Sequence, residues 1–249
     1  MYYLPHIYIF ILGIMIGSFL NVCIYRIPAK ESIVVNRSHC PKCGHGLSWY
    51  ELIPVFSYIF LRGKCKECKV KISMQYPLIE GLNAILYLLI FIRFGFSIDV
   101  IFACLFTSAL IVIAMIDART KEIPFKINVF IFIVAIVNLC FHFGNIKDYL
   151  LGFFIISIGL LILFYLSGGG VIGGGDVKLM AVAGLYLGCG KTVLAFFLAC
   201  LLGSVIHIIR MKFFGASREL ALGPYLATAL IISLLWGDIM IKAYLSLMF

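Results

Sequence analysis

Charge is what this sequence has least of. Asp, Glu, Lys and Arg make up 12% of its 249 residues, about half the share of an ordinary soluble domain. That scarcity excludes a typical water-soluble fold. Nowhere does the chain alternate apolar and polar residues in segments of about 10, which excludes a transmembrane β-barrel. Lys and Arg are absent ahead of the first apolar run, and no small-residue cleavage site precedes Asn21. That run therefore reads as a span and not as a cleavable signal. No internal repeat and no trailing soluble domain is evident.

What the chain has instead is apolar length. It is 63% hydrophobic, with a mean hydropathy of +1.13. Apolar runs of roughly 20 residues recur, the length that crosses a hydrocarbon core of about 30 Å. The fold class expected is all-α: a polytopic integral membrane helical bundle of about eight spans, with a small cytoplasmic zinc-ribbon-like insertion. The spans are placed at 6–24, 78–95, 98–116, 124–143, 148–166, 177–189, 192–210 and 221–246, with a glycine loop at 167–175. Three parts follow: 1–24 as the first span, 25–77 as the polar insertion, and 78–249 as the helical bundle.

The net charge of +9 is read as orientation, with no nucleic-acid partner. Of the 20 Lys and Arg, only Arg93, Lys147, Lys191 and Lys242 fall on one side of these spans. The rest crowd the other side, which the positive-inside bias assigns to the cytoplasm. The N-terminus is then outside. The run 177–189 must cross for this count to hold, yet its 13 residues reach only about 20 Å. Asp176, just before it, is expected in a hollow below the cytoplasmic surface that water enters.

The polar insertion carries Cys40-Pro41-Lys42-Cys43 and Cys65-Lys66-Glu67-Cys68. Each CxxC supplies two thiolates from one tight turn, and two such knuckles complete a tetrahedron around zinc. Four ligands leave no open position, so the zinc would be structural. Two disulfides are the competing reading; a cytoplasmic placement argues against them. His39 and His45 are substitute ligands only if a cysteine is not used. Lys42, Lys64, Lys66 and Lys69 can offset thiolate charge. The aromatic stretch Trp49–Leu61 is expected at the membrane interface.

Two of the 11 acidic residues stand out, because ionisable groups at membrane depth are costly. Asp117 ends the third span in Ile116-Asp117-Ala118-Arg119, and Asp176 opens the sixth in Gly174-Gly175-Asp176-Val177-Lys178. Both fall at cytoplasmic ends, at similar depth. Two carboxylates in one site hold one proton between them: the ionised member activates water and the protonated member donates to a carbonyl oxygen. The pair titrates as a unit. Gly173, Gly174 and Gly175, with Lys178 beside them, let backbone approach a substrate strand or another helix closely. Singly, Asp176 also reads as a helix N-cap and Asp117 as a solvated loop residue. The letters Gly168 to Gly173 fit GxGxxG, but no strand precedes them, and Leu179 after Lys178 rules out a P-loop. As an alternative function, a transporter or channel would use the two aspartates as an ion site.

The chain resembles the bacterial prepilin peptidases, the type IV leader peptidases of pilus, type II secretion and competence systems. The resemblance rests on GSFLNVCIYRIP (17–28), RSHCPKC (37–43), LSWYELIPVFSYIFLRGKC (47–65), YPLIE (76–80), IDARTKEIP (116–124), GGGDVKL (173–179) and LGPYLA (222–227). It implies an aspartic membrane protease of the GxGD type in the bacterial inner membrane, with Asp117 and Asp176 as the catalytic pair. The implied partners are prepilins and pseudopilins, cut after Gly at the cytoplasmic face, besides membrane lipid. Many members also methylate the new N-terminus from S-adenosylmethionine, and Glu80 matches a glutamate associated with that step. Gln75 stands where many members have Arg.

Overall fold

The structure is a computed structural model that describes residues 3–35, 38–170, 172–214 and 220–248. Arg37, Val171 and Arg218, which entered the motif and charge arguments, lie outside the described residues. The chain divides into two compact units, Met1–Phe96 and Ser97–Phe249.

The first unit is a helical hairpin with a polar insertion between its arms. Helix α1 (Leu4–Arg26) and α3 (Gln75–Phe94) run antiparallel. Their contact is made by small residues: a Cβ at Gly13 would lie 2.6 Å from Ala84 Cα, and one at Gly17 2.7 Å from Glu80 Cα. Without a hydrophobic drive between helices in lipid, close backbone approach and interhelical hydrogen bonds hold such a pair. Both are here. Asn83 Nδ2 donates to the Gly13 carbonyl at 2.8 Å, and Asn21 Nδ2 to the Tyr76 carbonyl at 3.2 Å. Gly13 with Ala84, Gly17 with Glu80 and Asn21 with Tyr76 step by four in opposite directions, which is the register of the hairpin.

The insertion folds into two matching knuckles. In the first, the Cys40 N–H donates to the His45 carbonyl at 2.8 Å and the Gly44 N–H to the Cys40 carbonyl at 2.9 Å; in the second, Cys65 pairs with Val70 at 2.9 Å and Lys69 with Cys65 at 3.1 Å. Isolated antiparallel bridges, His39 with Gly46 and Lys64 with Lys71, close them. The turn needs a left-handed residue four positions after its first cysteine. Gly44 supplies φ +72° and Lys69 φ +57°, the second at some steric cost. Between the knuckles lie a 3₁₀ turn (Trp49–Leu52) and the short α2 (Phe56–Phe60). They expose Trp49, Phe56, Ile59 and Phe60, an apolar surface of the kind expected at an interface.

The second unit contains α4 (Ile98–Thr120), α5 (Phe125–Phe141), α6 (Ile146–Ile155), α7 (Ser157–Leu166), α8 (Gly174–Leu187), α9 (Cys189–Phe214) and α10 (Gly223–Met248). Helices α6 and α7 form one crossing interrupted at Ile156, where the Ser157 hydroxyl bonds the Phe153 carbonyl. Among the described residues six helical segments are long and apolar enough to cross a membrane. A shorter apolar helix, α5, adds to them, and α8, the run expected to cross at 177–189, is a helix of 14 residues.

Helix α8 is apolar on all sides and buried from Val177 to Leu187 apart from Lys178, as a helix surrounded by others must be. It packs against α5, α6, α7 and α9. Gly152 and Gly184 let α6 and α8 touch backbone to backbone, leaving no room for a Cβ at either position. On its other flank, Tyr186 stacks on Phe106 of α4 with centroids 4.4 Å apart.

Candidate active site and metal centre

The stacked rings fix the relative depth of the two aspartates. From Phe106 to Asp117 along α4, and from Tyr186 back to Asp176 along α8, the rise is about 16 and about 15 Å at 1.5 Å per residue. The helices are antiparallel at this contact, so both carboxylates arrive at the same end of the bundle and at the same level. They line one cavity of about 260 Å³ with Lys121, Glu122, Ile123, Gly173, Gly174 and Gly175.

Asp117 is 4% exposed. Its Oδ2 accepts the backbone N–H of Gly223 at 2.8 Å. Gly223 opens α10, so the carboxylate sits at the positive end of a helix dipole. This is not a solvated loop residue. Lys121 turns left-handed behind it, φ +56°, and ends α4 with its N–H on the Asp117 carbonyl at 2.8 Å.

Asp176 is not an N-cap. Gly173 holds that position, without a side-chain cap, and Asp176 lies within the first turn of α8. Its Oδ1 is buried and meets no hydrogen-bond partner among the described residues. The glycines before it have distinct surroundings. A Cβ at Gly175 would come 2.9 Å from Ile123 Cβ, whereas one at Gly174 would meet only the Phe164 ring, at 3.6 Å. Gly175 therefore lets the start of α8 abut the loop that leaves Asp117. Lys178 lies with Nζ 5.2 Å from the centroid of the Phe125 ring, beside the cavity and not among its lining residues.

In the first unit the four sulfurs of Cys40, Cys43, Cys65 and Cys68 lie within 4.8 Å of one another, with Cys40 and Cys68 Sγ 3.9 Å apart. A tetrahedron with metal–sulfur bonds of about 2.3 Å has edges of about 3.8 Å, so the group has the dimensions of a metal site. All four are free thiols. Hydrogen bonds from the backbone N–H groups of Cys43 and Lys42 hold the Cys40 thiol down at about 6. At Cys43 the His45 N–H favours the thiolate, yet desolvation and the neighbouring sulfurs push the group up to about 11. A cation is what would hold all four as thiolates together.

His45 is engaged elsewhere: its Nε2 pairs with Glu51 Oε2 at 3.2 Å. Glu51 is buried and closes a capping box on the 3₁₀ turn, taking the Ser48 N–H at 2.9 Å. The Ser48 N–H, then His45, hold its carboxyl below the usual range. Lys66 is held by the Tyr50 hydroxyl at 2.8 Å. Glu80 is buried on α3, and its Oε2 accepts the Val55 N–H at 2.7 Å, tying the aromatic stretch to the hairpin.

Sequence reasoning named both aspartates and all four cysteines. It missed Gly223 and Glu51. The Gly223-Pro224 pair ahead of an apolar run marks a helix start, and Ser48 with Glu51 three residues on is the capping-box spacing; these were the available signals.

Comparison with known proteins follows the same division. Residues 11–94 match the bacterial peptidase A24 N-terminal domain, and residues 104–208 match the type IV leader peptidase family. A Bacillus subtilis protein named prepilin leader peptidase/N-methyltransferase is 35% identical, over 96% of this chain and 97% of its own. The chain belongs to the type IV leader peptidase family. Further relatives of this family with the same name come from Pseudomonas aeruginosa, 32% identical over 94% of this chain and 91% of theirs, and Aeromonas salmonicida, 30% identical over 98% and 96%. No solved structure matches. The family's N-terminal match covers the cysteine hairpin and its second match covers both aspartates.

Proposed function

We propose that this protein is a prepilin leader peptidase that also N-methylates its product. The observation that carries the reading is the meeting of Asp117 and Asp176 in one cavity of about 260 Å³, in a chain of this family.

Two carboxyls at one site share a proton. The ionised member takes a proton from water as the water oxygen attacks the scissile carbonyl carbon. The protonated member donates to the carbonyl oxygen. Collapse of the tetrahedral intermediate breaks the C–N bond, and the leaving amine takes a proton from the pair. No role is fixed to either aspartate alone. The Gly223 N–H on Asp117 holds one carboxyl in place, and Gly175 keeps the second helix near. The glycine-lined wall offers backbone, not side chains, to an extended peptide.

The proposed substrates are prepilins and pseudopilins, cut after Gly at the cytoplasmic face of a bacterial inner membrane, with the N-terminus of this protein outside. The excess of Lys and Arg on one side of the spans supports that orientation. The four thiolates would hold zinc, which gives the insertion a closed structural site. S-adenosylmethionine would supply the methyl group, and Glu80, on the unit that carries the cysteine knuckles, is the residue proposed for that step. The transporter reading of the aspartates finds no support in a chain matched to peptidase families at both ends.

The test is a cleavage assay on a prepilin in membranes, read by intact mass, with wild type, Asp117→Asn and Asp176→Asn. Loss of the leader with wild type only, and a product heavier by one methyl, is the expected result. Equal processing by all three proteins would overturn the aspartate reading.

A further inference from the structure

Residues 52–61 carry no charge, although they belong to the polar part of the chain. Leu52, Ile53, Phe56, Ile59 and Phe60 are all exposed, Phe60 by 82%. Tyr58 faces the other way, its hydroxyl donating to Met74 Sδ at 2.9 Å. The segment is therefore two-sided, with one face on the hairpin and an apolar face that no described residue covers. Exposed apolar patches of this kind mark interaction surfaces.

Two observations say what covers it. The first is depth. The Val55 N–H donates to Glu80 Oε2 at 2.7 Å, and Glu80 packs on Gly17 of α1. From Gly17, α1 runs nine residues further before Arg26, its first Lys, Arg, Asp or Glu, a rise of about 13.5 Å. A glutamate side chain and one hydrogen bond are too short to span that height. Val55 is thus held below the charged end of the hairpin, alongside a helix long and apolar enough to cross a membrane.

The second is the backbone. A peptide N–H in hydrocarbon needs an acceptor within the protein. The Ser57 N–H donates to the Ile53 carbonyl at 3.0 Å, Ile59 to Val55 at 3.1 Å and Leu61 to Ser57 at 2.9 Å. Pro54 has no N–H to satisfy, and Val55 uses Glu80. In a loop bathed by water, water would take the Val55 N–H; a loop in lipid needs the carboxylate.

We propose that residues 52–61 form a membrane wedge, inserted in the plane of the bilayer among lipid acyl chains and pinned at that depth by Glu80. Its reach is that of interfacial amphipathic helices, about 5–10 Å into the boundary of headgroups and acyl chains. The cysteine knuckles on either side of it are thereby seated on the membrane surface.

The chain has two tryptophans, Trp49 and Trp236, so a single reporter is simple to build. In full-length protein with Trp49→Phe and Trp236→Phe, Phe60→Trp is placed in phosphatidylcholine liposomes with and without brominated acyl chains. Glu31→Trp, at an exposed position just beyond Arg26, is the water-side reference. The expected result at position 60 is blue-shifted emission, with about half or more of it lost to brominated lipid and little lost to iodide. Position 31 should show the opposite pattern. Quenching by iodide at both positions overturns the wedge. Shielding of position 60 from both quenchers also overturns it, since protein and not lipid would then cover the face. Adding Glu80→Ala leaves the Val55 N–H without its acceptor, so bromine quenching at position 60 should fall toward the value at position 31. Glu80→Gln should keep it. Unchanged quenching in Glu80→Ala overturns the pinning by Glu80. Should Phe60→Trp fail to accumulate, Phe56→Trp is read by the same criteria. None of these readouts depends on the chemistry of the aspartates.

Discussion

Gly223 and Asp117 are bound as backbone to side chain, the Gly223 N–H donating to Oδ2 at 2.8 Å, and no side chain fits between them. A Cβ at position 223 would stand 2.6 Å from that oxygen. Gly223→Ala must therefore displace the carboxyl or the start of α10. Overpacking of this kind costs about 1–3 kcal/mol. Expressed on the transition state, that is roughly a 5- to 150-fold loss of cleavage rate. The variant is expected to insert normally and cleave slowly at saturating prepilin; a rate within twofold of wild type would show that this contact does not set the carboxyl's position.

Gly175 imposes the matching constraint on the other aspartate. Its hypothetical Cβ meets Ile123 Cβ at 2.9 Å, and neither atom belongs to a flexible side-chain end. Gly175→Ala is expected to lower cleavage by about tenfold, since about 1.4 kcal/mol of misplacement suffices. The double change Gly175→Ala with Ile123→Gly removes the clash and is expected to recover activity above the single variant. A double-mutant cycle on initial rates measures the coupling, and simple additivity would mean that the contact is not the cause.

These two glycines also show what the sequence could and could not reveal. The spans, the cysteine tetrad and both aspartates are legible because each leaves a local mark: an apolar run, a CxxC spacing, a charge in oil. The first and last residues of helices were off by a few positions, as capping and not hydropathy decides them. Gly223-Pro224 was readable as a helix start, but its tie to Asp117 was not, because that partner lies 106 residues away and the contribution is a backbone N–H, which every non-proline residue has. Lys69 is similar. Nothing in its side chain announces the left-handed turn that Gly44 advertises in the first knuckle. The depth match of the aspartates was an expectation from two span ends; Phe106 against Tyr186 supplies the register that makes it geometric.

The sulfur tetrad predicts a metal that single changes release. Among the described residues Cys40, Cys43, Cys65 and Cys68 alone group as ligands of one ion, and His45 is held by Glu51. Replacing any one with Ser is expected to weaken zinc by more than the 10- to 100-fold typical of outer-shell changes, on the order of 100-fold or beyond. Metal analysis of purified protein should give about one zinc per wild-type chain and a clear deficit in each variant. Full occupancy in all four would count against the site.

Glu51 predicts an acid limit for the insertion. Its carboxyl is held below the ordinary range by the Ser48 N–H and by His45. A depressed carboxylate stabilises the fold at pH above its unfolded value, and that contribution fades as pH falls through the folded value. Protease resistance of the segment around Trp49 should therefore be constant near neutrality and drop in acid, below the ordinary glutamate range. Glu51→Gln, which has no charge to lose, is expected to start less resistant and to lack that acid step. An identical acid profile in wild type and Glu51→Gln would assign the transition to another group.

Glu80 predicts a separation of the two activities. Val55, a β-branched residue, sits at φ +62°, a conformation that costs roughly 1–3 kcal/mol. Its N–H on Glu80 Oε2 at 2.7 Å is a bond to a charged acceptor, worth about 1.5–3 kcal/mol, and offsets that strain. Glu80→Ala removes the acceptor, so the stretch from Leu52 to Phe60 is expected to relax away from α3 and to be cut early in limited proteolysis. The aspartates belong to the other compact unit, and leader removal should persist at no less than about a third of wild type, a change under 1 kcal/mol. Methylation, if it depends on this insertion, should fall much further, so intact mass would show a mature but unmethylated pilin. Glu80→Gln separates anchoring from charge: its amide oxygen still accepts the Val55 N–H, so proteolysis should stay near wild type. Methylation that survives in Glu80→Gln assigns Glu80 to anchoring alone, whereas its loss there means the carboxylate charge acts on the methylation step itself.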